Sequence, residues 1–247
     1  MATILMPLPR IDFDPSEASI PWKILTAKHR IVFATPDGQP AQHDVRMIEG
    51  QGLGIWKKLL VATPEVGVYL QQMQACAEYQ KPLTYEQAQQ SSFDALLLVG
   101  GHAPGMKEYL ESTVLQRLVA SHDAARKPWG AVCHGVVLAA RAKNAEGRSV
   151  LYGKKTTALL KSQELAAYTL TRRTLGNYYR TYPTTVEDEV RAALAQPSDF
   201  LHGPLPLRRD TLQNQSAGFV VKDGHYVSAR WPGDAHRFAL AFQELLS

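Results

Sequence analysis

A chain of 247 residues, 45% hydrophobic and 20% charged, has the make-up of a soluble globular protein large enough to bury one sizeable core. Its net charge of +4 comes from scattered basic residues, with no Lys/Arg run and no basic stripe interleaved with aromatics, which argues against a nucleic-acid partner. Only two cysteines occur, Cys76 and Cys133; that excludes a disulfide framework and suits a reducing cytoplasm.

No apolar run is long enough to span a bilayer, so no membrane partner is expected. Ile4–Leu8 is too short for a signal-peptide core and has no basic segment before it. Thr3–Leu8 instead reads as a short buried strand ended by Pro7 and Pro9. The segment Asp12–Leu25 is a turn feeding a helix, capped by Asp14 or Ser16, with Pro21 tolerable only near the first turn. Glu17 therefore falls near a helix N-terminus, beyond the carboxyl end of the first strand. His29–Thr35 is a second strand, closed by the turn Pro36-Asp37-Gly38.

Gln39–Leu60 is expected to be a long irregular surface loop, its glycines serving turns because no phosphate-binding glycine pattern is present. Thr63-Pro64-Glu65 starts a helix with Val66, Leu70, Met73 and Ala77 on its apolar face. Cys76 lies close to that face and reads as core. Phe93–Val99 is a near-continuous apolar run, suited to a central parallel strand. It ends in Gly100-Gly101-His102, where paired glycines let backbone approach a ligand. A helix follows with Met106, Leu110, Val114, Leu118 and His122 at four-residue spacing.

Lys127–Gly135 reads as a buried strand, a sharp turn at Cys133, and the start of a helix. Small Ala131 and Gly135 flank the cysteine, as small residues do in nucleophile elbows of the G-x-S-x-G type. A thiol there feels the positive end of the helix dipole, which favours thiolate, and the next N–H, that of His134, is placed to donate to an oxyanion. Strand, glycine loop, helix, strand, elbow, helix is a βαβα pattern, and open α/β sheets bind ligands beyond the carboxyl ends of their strands.

Beyond Gly147, Ser149–Tyr152 and Lys154–Thr157 are short extended pieces and Ser162–Leu170 a helix. Tyr178–Pro183 is aromatic-rich, either core or pocket wall. Thr184-x-x-Glu187 matches a capping box opening a helix through Leu194. Pro197–Asp210 is loop. Gly218–Arg230 is a hairpin about Asp223-Gly224. A last helix follows, with Asp234 as cap and Phe238, Phe242 and Leu245 facing inward. With no repeats or linkers, the whole of 1–247 is read as one domain, about 171–210 forming a cap or insert.

Five segments together resemble the DJ-1/PfpI superfamily, within the class I glutamine amidotransferase-like fold. They are Glu17 after the first strand, Phe33–Gly38, Leu98–His102, Ala131–Gly135 and Val227–Gly233. The Cys133-His134 pair and the Ala34-Thr35-Pro36-Asp37-Gly38 segment are most similar to the Hsp31-type chaperone/glyoxalase branch. The resemblance implies a doubly wound, mostly parallel, flavodoxin-like sheet flanked by helices, with a small helical and aromatic insert.

It also implies roles. Cys133 would be the nucleophile, and Glu17 a protonated acid against its sulfur, its pKa raised by burial and like charge. The N–H groups of Gly101 and His134 would form an oxyanion hole. His134 would act as general base, oriented by Glu164 or, as the weaker match, Asp44. Arg230 would be structural. The family chemistry is addition of the thiol to a small carbonyl substrate such as methylglyoxal, giving hydroxy acid without glutathione, cofactor or metal. The alternatives are a cysteine hydrolase or amidase, or a stress-related chaperone that holds unfolded protein clients and uses Cys133 as a redox sensor. A homodimer is expected. His43 and His102 lack the close His/Glu spacing of a metal site, so none is expected. Val136-Val137 replaces the Pro-Ala of many relatives, which alters the pocket.

Overall fold

The computed structural model describes all residues, Met1–Ser247. Its main sheet starts from β1 (Thr3–Pro7), which is buried along nearly all its length. A short β2 (Ile11–Phe13) leads into α1 (Pro15–Leu25), and β3 (Arg30–Thr35) pairs with β1 in parallel. Then come β4 (Gln42–His43), which pairs only with β2, and two single turns, α2 (Arg46–Glu49) and α3 (Lys57–Leu60). Helix α4 (Pro64–Ala75) and the short α5 (Ala77–Gln80) precede β5 (Leu83–Thr84), which adds an outer strand beside β3. Helix α6 (Tyr85–Gln89) carries a complete capping box between Thr84 and Gln87.

On the other side of β1 lies β6 (Ala95–Leu98), followed by α7 (Met106–Leu110) and α8 (Thr113–Ala124). Next to it is β7 (Trp129–Val132), which feeds α9 (Gly135–Arg141). Helices α10 (Lys161–Leu175) and α11 (Val186–Ala193) come before the closing hairpin, β8 (Val220–Asp223) with β9 (Tyr226–Ala229), and α12 (Ala235–Glu244) ends the chain. The sheet order is β5-β3-β1-β6-β7-β9-β8, parallel throughout except for the antiparallel edge strand β8. This is the doubly wound, flavodoxin-like α/β arrangement. The chain reverses its direction of travel across the sheet between β1 and β6, which is where such folds open a crevice.

Several local expectations are corrected. Residues 39–60 are not simply irregular: they hold β4, α2 and α3. Pro21 sits in the middle of α1, not its first turn, and so withholds the N–H that would bond the Glu17 carbonyl. Ala77 is exposed and Cys76 half-buried, because the helix breaks at Cys76. The run Met106–His122 divides in two, since Ser112 turns extended and its hydroxyl caps Leu115 N–H. Ser149–Tyr152 is a set of turns, and Lys154–Thr157 contributes one isolated bridge, Thr156 to Phe200.

Three caps also move. Thr185, not Thr184, caps α11, accepting from Asp188 N–H. Asp234 does not cap α12; its carboxylate accepts from Arg230 and from Phe219 N–H. The capping acid is the distant Asp210, which accepts from His236 and Arg237 N–H. Arg230 is fully buried on Asp234 and the His202 carbonyl, a structural use of that side chain.

The elbow depends on one close approach. A Cβ at Gly135 would lie 2.6 Å from the Leu98 carbonyl oxygen and 2.7 Å from that of Val99, so only glycine lets α9 start so close to β6. Gly135→Ala should destabilise the protein by about 1–3 kcal/mol through overpacking. Gly67, inside α4 with nothing near its missing Cβ and no positive φ, should behave oppositely. There, Gly67→Ala should stabilise by about 0.5–1 kcal/mol. Urea unfolding midpoints of the two variants check the pair.

Candidate active site

At the end of β7 the backbone turns sharply, and Cys133 adopts φ 56°, a left-handed conformation that residues with a Cβ rarely take. The turn aims the thiol back over the carboxyl ends of β1 and β6. Cys133 is buried to 1% exposure, yet it lines a cavity of about 420 Å³. Glu17, in the first turn of α1, borders the same cavity. Asp14 holds that turn in place by accepting from the Ser16 and Glu17 N–H groups, at 2.8 and 3.1 Å.

Glu17 is wholly buried and neither carboxyl oxygen has a well-formed hydrogen bond. Its neighbours are the Cys133 thiol and Gly100 N–H. Burial first, and the Asp14 charge second, hold its pKa well above the ordinary glutamate value. The side chain therefore carries its proton at neutral pH and has an O–H to offer the sulfur. Gly100 must be glycine for this to fit: a Cβ there would lie 2.6 Å from Glu17 Oε2 and 2.8 Å from His134 N.

His134 Nδ1 lies 3.6 Å from Cys133 Sγ, and its Nε2 lies 3.3 Å from Thr181 Oγ1. The Thr181 hydroxyl donates to the His102 carbonyl at 2.7 Å. A hydroxyl has one proton, so Thr181 can only accept from His134. That fixes the neutral imidazole with its proton on Nε2 and its lone pair on Nδ1, facing the thiol. Burial, followed by His102 and Arg141, lowers the His134 pKa well below the ordinary value.

The dipole expectation for the thiol is not met. Burial pushes the Cys133 thiol above its usual range and the Asp14 charge pushes the same way, against the His134 N–H that favours thiolate; Glu17, holding its proton, adds no charge. The resting trio is thiol, imidazole and carboxylic acid, all neutral. The backbone N–H groups of Gly101 and His134 have no backbone acceptor, and that of His134 faces the Cys133 sulfur.

The carboxylate partner expected for His134 is absent. Glu164 accepts from Val186 N–H at 2.8 Å and pairs with Arg180 at 3.2 Å. Reciprocally, Glu187 of α11 accepts from Lys161 N–H at the start of α10. Glu164 is buried because two helix N-termini exchange carboxylate caps. Asp44 does not reach His134 either. It accepts from Arg46 N–H and from the Tyr179 hydroxyl, and burial pushes its pKa up to about 6. The aromatic segment is thus pinned over the cavity rim, Tyr178 donating to Asp12. Thr181 had no sequence signal, since a lone threonine in an unassignable loop matches no motif.

His102, its pKa lowered to about 4 by burial, packs edge-on against His134 at 5.0 Å. The donor atoms of His102, Cys133 and His134 lie within 4.8 Å of one another. Those three could hold a zinc-like cation, at the expense of the free thiol. His43 takes no part in that cluster.

Glu17 couples this site to stability. Its folded pKa is raised, so the unfolded chain releases the proton near pH 4.5 while the folded chain retains it. Folding stability then falls as pH rises above that point. Glu17→Gln should raise the melting temperature at pH 7–8, and the difference from wild type should shrink towards pH 4.5; thermal unfolding across that range checks it.

Comparison with known proteins agrees with this architecture. Residues 8–204 match the model of the ThiJ/PfpI family-like group. A glutathione-independent glyoxalase of Schizosaccharomyces pombe is 41% identical over 76 residues, but that match spans 30% of this chain and only 31% of the relative. A deglycase of Thermococcus kodakarensis is 26% identical over 164 residues, 66% of this chain and 69% of the relative. Among solved structures, the Francisella tularensis Rapid Encystment Protein superposes with a TM-score of 0.69 at 17% identity, covering 100% of both chains. The glyoxalase III of Candida albicans gives a TM-score of 0.62 at 18% identity, covering 99% of this chain and 97% of that one. On the family match and the shared sheet, this chain belongs to the ThiJ/PfpI family of the DJ-1 superfamily.

Proposed function

We propose that the protein is a cysteine-dependent enzyme of the glyoxalase III type, converting α-oxoaldehydes such as methylglyoxal to hydroxy acids without glutathione. The observation that carries this reading is the proton-ordered chain from the His102 carbonyl through Thr181 and His134 to Cys133, set against a protonated Glu17. Relatives named as a glutathione-independent glyoxalase and a deglycase support it.

In the proposed reaction, Cys133 Sγ bonds to the aldehyde carbon as its proton passes to His134 Nδ1. Because thiol and imidazole are both neutral at rest, that transfer accompanies C–S bond formation. The carbonyl electron pair moves to oxygen, which accepts hydrogen bonds from the Gly101 and His134 N–H groups. Proton return gives a hemithioacetal. Removal of the proton from C1 and delivery of one to C2, relayed by Glu17, together with passage of the C1 hydroxyl proton to the C2 oxygen, give a thioester and a C2 hydroxyl. Water then cleaves the C–S bond, releasing hydroxy acid and free thiol. C1 is oxidised and C2 reduced by the same amount, so water is the sole co-reactant. Thr181 serves as the positioning residue usually supplied by a carboxylate.

A second reading, a holding chaperone, has one observation in its favour: Ile55, Leu59, Leu205 and Leu207 are 62–87% exposed. Cys133→Ser separates the two. It should abolish oxoaldehyde loss, and an unchanged turnover would refute the enzyme reading; client holding would be unaffected.

Two variants test the site. Glu17→Gln should leave the pH dependence of Cys133 alkylation near that of wild type, because an amide replaces a neutral acid, while turnover falls by about 10²-fold or more. Alkylation should climb through pH 8.5 in both, with no plateau near pH 6. Thr181→Val frees the imidazole to rotate and should lower kcat by about 10²-fold with little change in KM. Thr181→Ser, which keeps the hydroxyl, should restore most of it.

A further inference from the structure

The cavity into which Cys133 opens is much larger than a three-carbon oxoaldehyde requires. Its volume of about 420 Å³ falls in the roughly 300–1,000 Å³ range of sites that enclose drug-sized ligands. The polar groups of the reaction line only part of it. Helix α10 turns one face towards the rest, with Gln163, Ala166, Ala167 and Leu170 at positions i, i+3, i+4 and i+7 all bordering the cavity.

That face is unusual for a fifteen-residue helix. The only residues α10 buries in the protein are polar, Glu164 and Thr171. Three apolar residues of that face, Ala166, Ala167 and Leu170, are turned to the cavity instead of to a core, with Gln163 at its start. Two of the four positions are alanine, which leaves the space open. Leu159 and Trp231 extend the apolar wall. Apolar surface facing an open cavity is stabilised only when a ligand removes it from water.

We propose that this site selects α-oxoaldehydes whose ketone carbon, C2, carries a large apolar substituent, of the aryl or branched-alkyl class, over methylglyoxal. The inference rests on the oxoaldehyde reading and narrows its substrate. The chemistry is unchanged. Thiol adds to the aldehyde, hydrogen moves from C1 to C2, and water releases the corresponding α-hydroxy acid, the apolar substituent staying on C2 throughout.

The test uses the full chain with Cys76→Ser, so that labelling reports Cys133 alone. Alkylation by phenacyl bromide and by bromoacetone, each normalised to its rate with glutathione, is followed by intact mass. In parallel, kcat/KM is measured for phenylglyoxal and methylglyoxal. Phenacyl bromide and phenylglyoxal should each be favoured by about 10-fold or more, as expected when added carbons enter an apolar pocket. Ala167→Leu, or Ala166→Leu if the first folds poorly, should bring both preferences to within about 2-fold, the larger loss falling on the phenacyl bromide and phenylglyoxal rates. Equal or reversed preferences, with methylglyoxal still consumed, overturn the inference and spare the reaction. A phenacyl preference without turnover of either oxoaldehyde supports the apolar selection and overturns the reaction.

Discussion

The left-handed backbone at Cys133 is the constraint on which the rest of the site depends. A residue with a Cβ held at φ 56° costs about 1–2 kcal/mol relative to ordinary conformations. Surrounding contacts impose it. Cys133 N–H donates to the Ala229 carbonyl, and Gly135 is wedged against the carbonyls that end β6. With those two anchors, the turn has one course open to it, and that course carries the thiol over the switch point between β1 and β6. Gly100 completes the fit by leaving Glu17, Cys133 and His134 room to meet.

Burying three ionisable groups side by side decides their protonation. Each is buried, and burial disfavours whichever form is charged. Glu17 keeps its proton, His134 stays neutral, and Cys133 remains a thiol. At this helix start, burial opposes the thiolate that the helix dipole favours. A neutral site avoids leaving an unpaired charge in an apolar interior, at the cost of needing the substrate to draw the proton off the sulfur. Thr181 suits such a site better than a carboxylate would. It fixes the tautomer through one directional hydrogen bond and adds no further negative charge beside Glu17, Asp14 and Asp44.

The cavity and the aromatic segment follow from the same economy of polar groups. Tyr178 and Tyr179 direct their hydroxyls to Asp12 and Asp44, which closes the rim and leaves their rings edge to face at 5.0 Å. Helices α10 and α11 cap each other through Glu164 and Glu187. That exchange frees α10 from packing on the sheet, so its small-residue face can border the cavity.

Local chemistry made much of this legible in the sequence. The apolar run ending in Gly100-Gly101, the small residues around Cys133, the hairpin turn at Asp223-Gly224 and the first-turn position of Glu17 are short-range signals, and the parallel sheet and elbow follow from them. What needed the tertiary structure were the features set by contacts distant in sequence. Asp210 caps α12 from 26 residues away, Glu164 was diverted from His134 to a neighbouring helix, and Thr181 reached His134 across 47 residues. The protonation of the site belongs to the same class, because burial is a property of the packed molecule. Sequence determined which reactive groups are present and on which edge of the sheet they stand. Packing alone decided which of them touch, because a hydrogen bond depends on positions to within a fraction of an ångström, and residue spacing along the chain does not carry that information.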